Sequence, residues 1–374
     1  MGRGADRMGS LGVATLVLAA CGPSVGSECD ASAATVEPEA GCPIPTPLAE
    51  IRVSFAGVSA DPIAGMIAID VDPTPGVELL VVRGNQVQMV IAGQAVAIVT
   101  APATLLGAVA GDIDGDGDFD LLTSEDDGGA VLRIWWREGA AFVDSTITQP
   151  LGEGTAFALT DHDADHDLDA LVREGSSVVM YPFEGIAFGP ARVAIAGPID
   201  AWTIFDAEPD GLADLLYAAG GTITLEPRVE IAAPTSLVVP GLAAVRSLAI
   251  GDFTADGILD AFVIGDGDET TWSTLVGPLL TESPFTRSPT SSCFQRPGAG
   301  DLDADGHADL VLSSGGDHLL VRYGRMAGDG EPFHCEYELP IPLAADRAAL
   351  FDADGDGRNE LLVSDGDEVV LLDF

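Results

Sequence analysis

The sequence contains no lysine: all 16 of its basic residues are arginine, against 60 acidic residues. Without lysine the chain cannot build a P-loop phosphate site, form a Schiff base or anchor pyridoxal phosphate. The formal net charge of −44 disfavours binding to nucleic acids and to anionic membrane surfaces, because both are negatively charged. This charge favours cations instead.

Signatures of helices and of common enzymes are also missing. No segment combines the 3.6-residue apolar period of an amphipathic helix with end caps, which excludes helical repeats. The sequence lacks Gly-x-Ser-x-Gly, His-Glu-x-x-His and a Gly-x-Gly-x-x-Gly that opens a helix, so we expect no enzyme. Hydrophobic residues make up 47% of the chain, enough for a large core, which excludes a wholly disordered protein.

Residues 1–20 are typical of an export signal. Arg3 and Arg7 precede an apolar run, Leu11 to Ala20, that is too short to span a bilayer as a helix. The run ends in Leu-Ala-Ala-Cys, which resembles the lipobox of bacterial lipoproteins. That resemblance implies cleavage before Cys21 and lipidation of its side chain, with plain secretion as the alternative. Because Gly22 and not Asp follows, the same resemblance implies the outer membrane or the cell surface.

Residues 21–48 are rich in Pro, Ala, Ser and Gly and lack an apolar period, which predicts a flexible tether before a folded domain at 49–374. An even number of further cysteines in an exported protein favours two disulfides. We expect Cys29–Cys42 and Cys293–Cys335, since shorter loops cost less to close, with four free thiols as the alternative. Zinc is disfavoured because no Cys-x-x-Cys pair exists.

An acidic loop of nine residues recurs seven times, starting at 70, 112, 161, 206, 252, 301 and 352. Each copy is followed by a short apolar run and is flanked by other β-rich segments with Gly and Pro turns. About four short strands per repeat predict an all-β fold, a seven-bladed β-propeller with four-stranded antiparallel blades.

The two ends of the chain suggest how such a ring would close. The last repeat ends at Phe374 with only two strands after its loop, so one outer strand is missing. Ile51–Phe55 is β-rich and has no loop of its own. We therefore expect this N-terminal segment to supply the missing strand and leave no open sheet edge.

The loop consensus, Asp-x-Asp-x-Asp-Gly-x-x-Asp-Leu, resembles the FG-GAP or VCBS repeats of integrin-α-type propellers over residues 49–374. This resemblance implies calcium in the loops, with the position 7 carbonyl as a ligand and position 9 able to bind through both oxygens. The Phe-Gly and Gly-Ala-Pro words of the integrin form are mostly missing, which favours the bacterial VCBS-like branch.

The residues themselves also point to Ca²⁺, which takes six to eight oxygen ligands, because acids at alternate positions of a turning loop converge on one point. Glycine at position 6 permits the turn. The predicted ligands are Asp70, Asp72 and Glu78; Asp112, Asp114, Asp116, Asp118 and Asp120; Asp161, Asp163, Asp165, Asp167 and Asp169; Asp206, Glu208, Asp210 and Asp214; Asp252, Thr254, Asp256 and Asp260; Asp301, Asp303, Asp305 and Asp309; Asp352, Asp354, Asp356 and Glu360.

Up to seven ions are expected, with the best sites in the loops at 112, 301 and 352. An EF-hand is excluded because position 12 is Val, Thr, Tyr or Leu rather than Glu. A single Asp-Gly loop would be interpreted as a solvated turn, but seven copies in register favour calcium.

These observations predict a calcium-stabilised lipoprotein of the cell envelope that acts, as a monomer, as a platform for a protein or glycan ligand. Nucleic acid is not an expected partner, and the membrane is contacted only through the lipid. The alternatives are a polysaccharide lyase or hydrolase with an axial site, and a passive structural protein. Trp135 and Trp136 are interpreted as packing between blades, with sugar stacking as the alternative.

Overall fold

The computed structural model describes residues 16–17, 47, 49–55, 61–69, 77–152, 157–161, 167–207, 213–226, 234–239, 242–254, 256–266, 271–276, 281–282, 295–313, 316–324, 333–345, 347–354 and 358–374. Within these ranges every regular element is a β-strand. The same residues contain no helix long and apolar enough to cross a membrane.

The strands are β1 (Leu16–Val17), β2 (Ala49–Arg52), β3 (Ile63–Ile69), β4 (Glu78–Arg83), β5 (Gln86–Ile91), β6 (Gln94–Thr100), β7 (Thr104–Gly111), β8 (Asp120–Asp126), β9 (Ala130–Glu138), β10 (Ala141–Pro150), β11 (Phe157–Thr160), β12 (Asp169–Glu174), β13 (Ser177–Tyr181), β14 (Arg192–Ile195), β15 (Ala201–Phe205), β16 (Asp214–Ala219), β17 (Thr222–Glu226), β18 (Thr235–Val238), β19 (Ala244–Gly251), β20 (Asp260–Asp266), β21 (Thr271–Val276), β22 (Thr281–Glu282), β23 (Gln295–Gly300), β24 (Asp309–Ser313), β25 (His318–Gly324), β26 (Phe333–Pro340), β27 (Arg347–Phe351), β28 (Glu360–Ser364) and β29 (Val369–Asp373).

These strands form antiparallel sheets, which we number along the chain. Sheet 1 has the order β1-β3-β4-β5-β6, sheet 2 is β7-β8-β9-β10, sheet 3 is β11-β12-β13-β14, sheet 4 is β15-β16-β17-β18, sheet 5 is β19-β20-β21-β22, sheet 6 is β23-β24-β25-β26, and sheet 7 is β27-β28-β29-β2. The fold is an all-β propeller with four-stranded antiparallel blades.

The prediction of four-stranded antiparallel blades is confirmed, but the predicted number of seven is not: the described residues form six four-stranded sheets, and sheet 1 has five strands. The fifth strand is β1, which pairs Leu16 with Ala68 and Val17 with Ile67. β1 lies within the segment predicted to be a signal peptide, whose removal stays a prediction. Its backbone occupies the edge of β3 that a four-stranded sheet would leave unpaired.

Sheet 7 combines strands from both ends of the chain. β2 pairs with β29, so that Ala49 lies opposite Asp373 and Arg52 opposite Val370. The sequence places this strand at Ile51–Phe55, whereas the structure begins it at Ala49 and ends it at Arg52. The backbone N–H of Val53 then donates to the carbonyl of Val369 at 3.0 Å.

The core consists of apolar clusters that lie between neighbouring sheets rather than in one central mass. Six clusters join sheets that follow each other in the chain. A further cluster joins sheet 1 to sheet 7, through Met66 and Leu79 against Phe351 and Leu362. Because a sheet covered on both faces needs apolar side chains on both, the second strands are continuous apolar runs rather than alternating ones.

Removal of residues 1–55 should destabilise the fold more than removal of residues 1–48. The longer deletion removes β2, the buried side chain of Val53 and the Arg52–Glu368 salt bridge of 2.6 Å. It also leaves the outer edge of β29 unpaired. Since the salt bridge is exposed, most of the loss comes from the strand and Val53. We expect the melting temperature to fall by at least about 5 °C relative to the shorter deletion. Equal melting temperatures would show that β2 contributes nothing.

Candidate metal centres

Each predicted loop joins the first two long strands of its sheet, and position 9 of the loop is the first residue of the second strand. This holds in all seven sheets, where the residue is Glu78, Asp120, Asp169, Asp214, Asp260, Asp309 or Glu360. All except Glu78 are buried. An acidic residue is therefore the first residue of the most buried strand in each sheet.

Position 9 anchors the loop through hydrogen bonds to backbone N–H groups. One carboxylate oxygen of Asp309 accepts from Leu302 at position 2 of the loop, and the other accepts from Gly324 at the end of β25, both at 2.7 Å. Asp120 makes the same pair of bonds with Ile113 at 3.1 Å and Arg137 at 2.8 Å. The sequence predicts position 9 as a metal ligand only, whereas the structure shows that it also ties the loop to the third strand.

Three loops bring carboxylates together, and they are the three that the sequence favours as calcium sites. The clusters are Asp112, Asp114 and Asp120; Asp301, Asp303 and Asp309; and Asp352, Asp354 and Glu360. In each cluster one oxygen per residue lies within 4.8 Å of the others. Positions 1, 3 and 9 therefore converge as predicted.

In the 112 and 301 loops, the predicted ligands Asp116 and Asp305 at position 5 are not part of the described clusters, and their role as ligands stays a prediction. The Oδ1 atom of Asp116 accepts from the N–H of Asp118 at 2.9 Å, and that of Asp305 accepts from the N–H of His307 at 2.9 Å. Each carboxylate thus stabilises the turn that follows it.

The glycine at position 6 has the predicted left-handed backbone, with φ of 95° at Gly117 and 87° at Gly306. Its N–H donates to the position 1 carboxylate, at 3.0 Å for Gly117 to Asp112 and 2.8 Å for Gly306 to Asp301. A Cβ would not clash with other atoms at either glycine, so the backbone angle is the reason for the residue.

The other loops are described in part. In the 252 loop, Gly257 donates to Asp252 at 2.9 Å and Thr254 donates its N–H to Asp260 at 3.0 Å. Asp256 accepts from the N–H of Ile258 at 2.9 Å, as position 5 does elsewhere. In the 161 and 206 loops, Asp161, Asp167, Asp169, Asp206 and Asp214 are described. The predicted ligands Asp70, Asp72, Asp163, Asp165, Glu208, Asp210 and Asp356 lie outside the described residues.

Burial raises the pKa of the acid at position 9 in all three clusters. The pKa rises to about 8 for Asp309, about 7 for Glu360 and about 6 for Asp120. Burial is the largest cause, and backbone N–H donors act against it. Neighbouring carboxylates add to the rise, at positions 1 and 3 for Asp309 and Glu360 and at positions 3 and 5 for Asp120. The clusters therefore store repulsion that either a proton or a cation relieves.

An unsatisfied oxygen in the first cluster is consistent with a bound cation. Among the described residues, Asp112 Oδ1 is shielded from solvent and has no hydrogen-bond partner. Thr254 Oγ1, at position 3 of the 252 loop, is in the same state. A buried oxygen without a donor is costly, and a metal ion would satisfy it. Because every donor in the three clusters is a carboxylate oxygen, the sites suit a hard divalent cation.

Of the remaining predicted features, the structure describes one cysteine and the tryptophan pair. Cys335 is disulfide-bonded and buried, while Cys21, Cys29, Cys42 and Cys293 lie outside the described residues.

Trp135 is buried between sheets 1 and 2, and its Nε1 donates to Thr123 Oγ1 at 3.0 Å. Trp136 packs edge-on against Phe183 with ring centroids 6.0 Å apart. The packing interpretation of the tryptophan pair is thus confirmed.

We expect calcium to stabilise the protein through these clusters. Extracellular calcium sites add about 1 kcal/mol each in millimolar calcium, so three sites should raise the melting temperature by about 5–10 °C over chelated protein. Asp114→Asn, Asp303→Asn and Asp354→Asn combined should raise the melting temperature without calcium, since repulsion falls, and remove most of the calcium response.

The matched control combines Asp126→Asn, Asp127→Asn and Glu138→Gln, which removes three exposed acids outside the loops. It should keep the calcium response of the native protein. If chelator does not change the melting temperature of the native protein, the assignment of these clusters as metal sites is contradicted.

The stability of the calcium-free protein should fall as pH rises. Position 9 acids keep their protons in the folded state up to about pH 6, 7 and 8, whereas in the unfolded chain they lose them near pH 4. Their contribution is therefore complete below about pH 4 and is lost as pH rises through these values. Because calcium must displace the same protons, its stabilising effect should grow between pH 6 and 8. Thermal melts with and without calcium across this range measure both trends. If the stabilisation by calcium decreases as pH rises, the proposed exchange of protons for calcium is contradicted.

No protein-family model matches this sequence, and no curated protein matches it. Solved structures do resemble the fold. An Agrocybe aegerita lectin that recognises non-reducing terminal N-acetylglucosamine has a TM-score of 0.55 at 14% identity, over 85% of this chain and 87% of the lectin. A chain of the mitotic checkpoint complex has a TM-score of 0.56 at 12% identity, over 91% of this chain and 99% of its own length. BBS1N in complex with ARL6DN has a TM-score of 0.50 at 15% identity, over 68% of this chain and 74% of that one. At such identities the likeness shows the fold alone, a β-propeller.

Proposed function

We propose that this protein is a calcium-stabilised propeller of the cell envelope that acts as a binding platform for a protein or a glycan. The observation that carries the proposal is the convergence of carboxylates from positions 1, 3 and 9 in three loops. Up to seven loops would bind Ca²⁺, with those at 112, 301 and 352 the strongest. Calcium suits these clusters better than Mg²⁺, because it accepts more ligands and a less regular geometry.

The platform would be a single ring of seven sheets closed by β2. The apolar cluster between sheets 7 and 1 supports this arrangement. Backbone bonds join the same two sheets, from Ile63 N–H to the carbonyl of Gly366 at 2.7 Å and from Val77 N–H to that of Asp352 at 3.1 Å. Because β2 and β29 belong to the same chain, ring closure needs no second copy, which is consistent with a monomer.

Attachment to the envelope would depend on the lipobox-like sequence that ends at Cys21. The tether at 21–48 would hold the ring away from the lipid. The net charge of −44 opposes direct contact between the ring and anionic lipids, so the acyl chains would be the only membrane contact.

A binding role is supported by the solved structures of similar fold, which include a lectin and protein complexes. An enzyme is less well supported, because the acids whose pKa rises furthest, Asp120, Asp309 and Glu360, belong to the loop clusters. In these positions they are anchors and candidate metal ligands rather than general acids.

Binding should depend on the calcium-loaded fold. Protein with Cys21→Ser, presented to a glycan array and to crosslinking on intact cells, should recognise a specific glycan or protein in millimolar calcium and lose it on chelation. The variant that combines Asp114→Asn, Asp303→Asn and Asp354→Asn should bind the ligand at neutral pH in proportion to the fraction of protein that remains folded. The control variant, which lacks three exposed acids outside the loops, should bind the ligand like the native protein. Folded, calcium-loaded protein that recognises neither class would refute the proposal.

A further inference from the structure

The junction of sheets 3 and 4 differs from the other junctions at one repeated position. The third residue after position 9 faces the preceding sheet, and in six sheets it is at most 3% exposed. These residues are Val81, Thr123, Val172, Val263, Leu312 and Val363. In sheet 4 the residue is Tyr217, which is partly exposed. Although tyrosine is larger than the residues at this position in the other sheets, its side chain is not fully buried between sheets 3 and 4.

Tyr217 belongs to a row of residues that crosses all four strands of sheet 4. It lies opposite Trp202 of β15 and Thr224 of β17, and Thr224 lies opposite Ser236 of β18. Residues directly opposite in antiparallel strands share a face, so the row faces sheet 3. Trp202 and Tyr217 both pack against the small cluster that contains Met180 and remain partly exposed.

The first strands of the two sheets are in less contact than the first strands at most other junctions. β7 packs along β11, and β15 packs along β19, but among the described residues β11 and β15 have no comparable packing. At one end the junction is held by Arg173, whose guanidinium donates to the carbonyls of Ile199 at 2.8 Å and Asp200 at 3.2 Å. The junction is thus fixed at that end, while Trp202 and Tyr217 remain partly exposed.

Polar groups on this face have no protein partner in the part of the chain that the structure describes. They are the carboxylate of Glu226, two residues beyond Thr224, the indole N–H of Trp202 and the hydroxyl of Tyr217. Thr224 Oγ1 and Ser236 Oγ lie 3.0 Å apart and continue the polar row towards the outer strand. Burial raises the pKa of Glu226, as expected of an acid that lacks a donor.

The two aromatic rings and the hydrogen-bonding groups beside them limit the class of ligand that this face can bind. A sugar ring offers an apolar C–H face to aromatic side chains and hydroxyl groups to a carboxylate. Glu226 and the net charge of −44 repel anions, which excludes phosphorylated, sulfated and acidic saccharides. The ligand class that satisfies both conditions is a neutral saccharide.

We propose that the junction of sheets 3 and 4 binds a neutral saccharide, which packs against Trp202 and Tyr217 and donates a hydroxyl hydrogen to Glu226. This inference rests on the proposed binding function and names a glycan as the ligand and this junction as its site.

Tryptophan fluorescence of the calcium-loaded protein, titrated with a panel of neutral mono- and oligosaccharides, tests the site. At least one saccharide should change the emission and saturate. Glu226→Gln should weaken its binding about tenfold or more, because a hydrogen bond to a charged group is lost. Trp202→Phe should weaken binding and remove most of the emission change. Trp136→Phe, in the sheet 2–sheet 3 cluster, is the matched control and should bind normally. Melting curves verify that each variant is folded.

Binding that is unchanged in both Glu226→Gln and Trp202→Phe would overturn the inference, as would a preference for sialylated or sulfated saccharides. Native protein that binds a defined protein but no saccharide would overturn the inference and leave the proposed function standing. Native protein that binds neither would refute both.

Discussion

A buried carboxylate at the start of the second strand is the group on which the arrangement of six of the seven sheets depends. Taking a carboxylate out of water costs several kcal/mol, and hydrogen bonds to a charged acceptor return about 1.5–3 kcal/mol each. Asp309 recovers part of this cost through N–H groups from two separate segments, the loop and the third strand. The charge is therefore stable only where both segments are in place, so it fixes their relative position.

The same anchor explains why a cation would stabilise the three clustered loops. Two further carboxylates lie within 4.8 Å, where a pair repels by about 3 kcal/mol at an effective dielectric constant of 20 before screening by water. Each anchoring hydrogen bond is stronger when position 9 is charged, because the neutral acid accepts weaker hydrogen bonds. A proton relieves the repulsion but weakens the anchor, whereas a cation relieves the repulsion and keeps it. A bound ion would thus be a structural part of the loop.

Features that depend on short-range geometry could be predicted from the sequence, whereas features that depend on tertiary contacts could not. Positive φ at Gly117 and the convergence of Asp112 and Asp114 follow from short-range geometry, and both are found. The side-chain role of Asp116 depends on whether its oxygen meets an N–H two residues later, which competes with metal binding and has no separate sequence pattern. The bounds of β2 depend on pairing with β29 at the other end of the chain, which residue composition alone does not specify.

The aromatic row of sheet 4 was beyond prediction for a related reason. Trp202 and Tyr217 are neighbours only once the register of β15 and β16 is known, and only the other sheets show that Tyr217 is unusually exposed for its position. Tyr217 lies on the same strand as Asp214, three residues away, or about 10 Å at the rise of an extended strand. Asp214 is buried and accepts from the N–H of Ala207 at 2.9 Å. An anchor of this kind holds the strand in register without contacting a ligand beside Tyr217. The loop chemistry would then act on recognition by keeping sheet 4 folded, and not by reshaping the row.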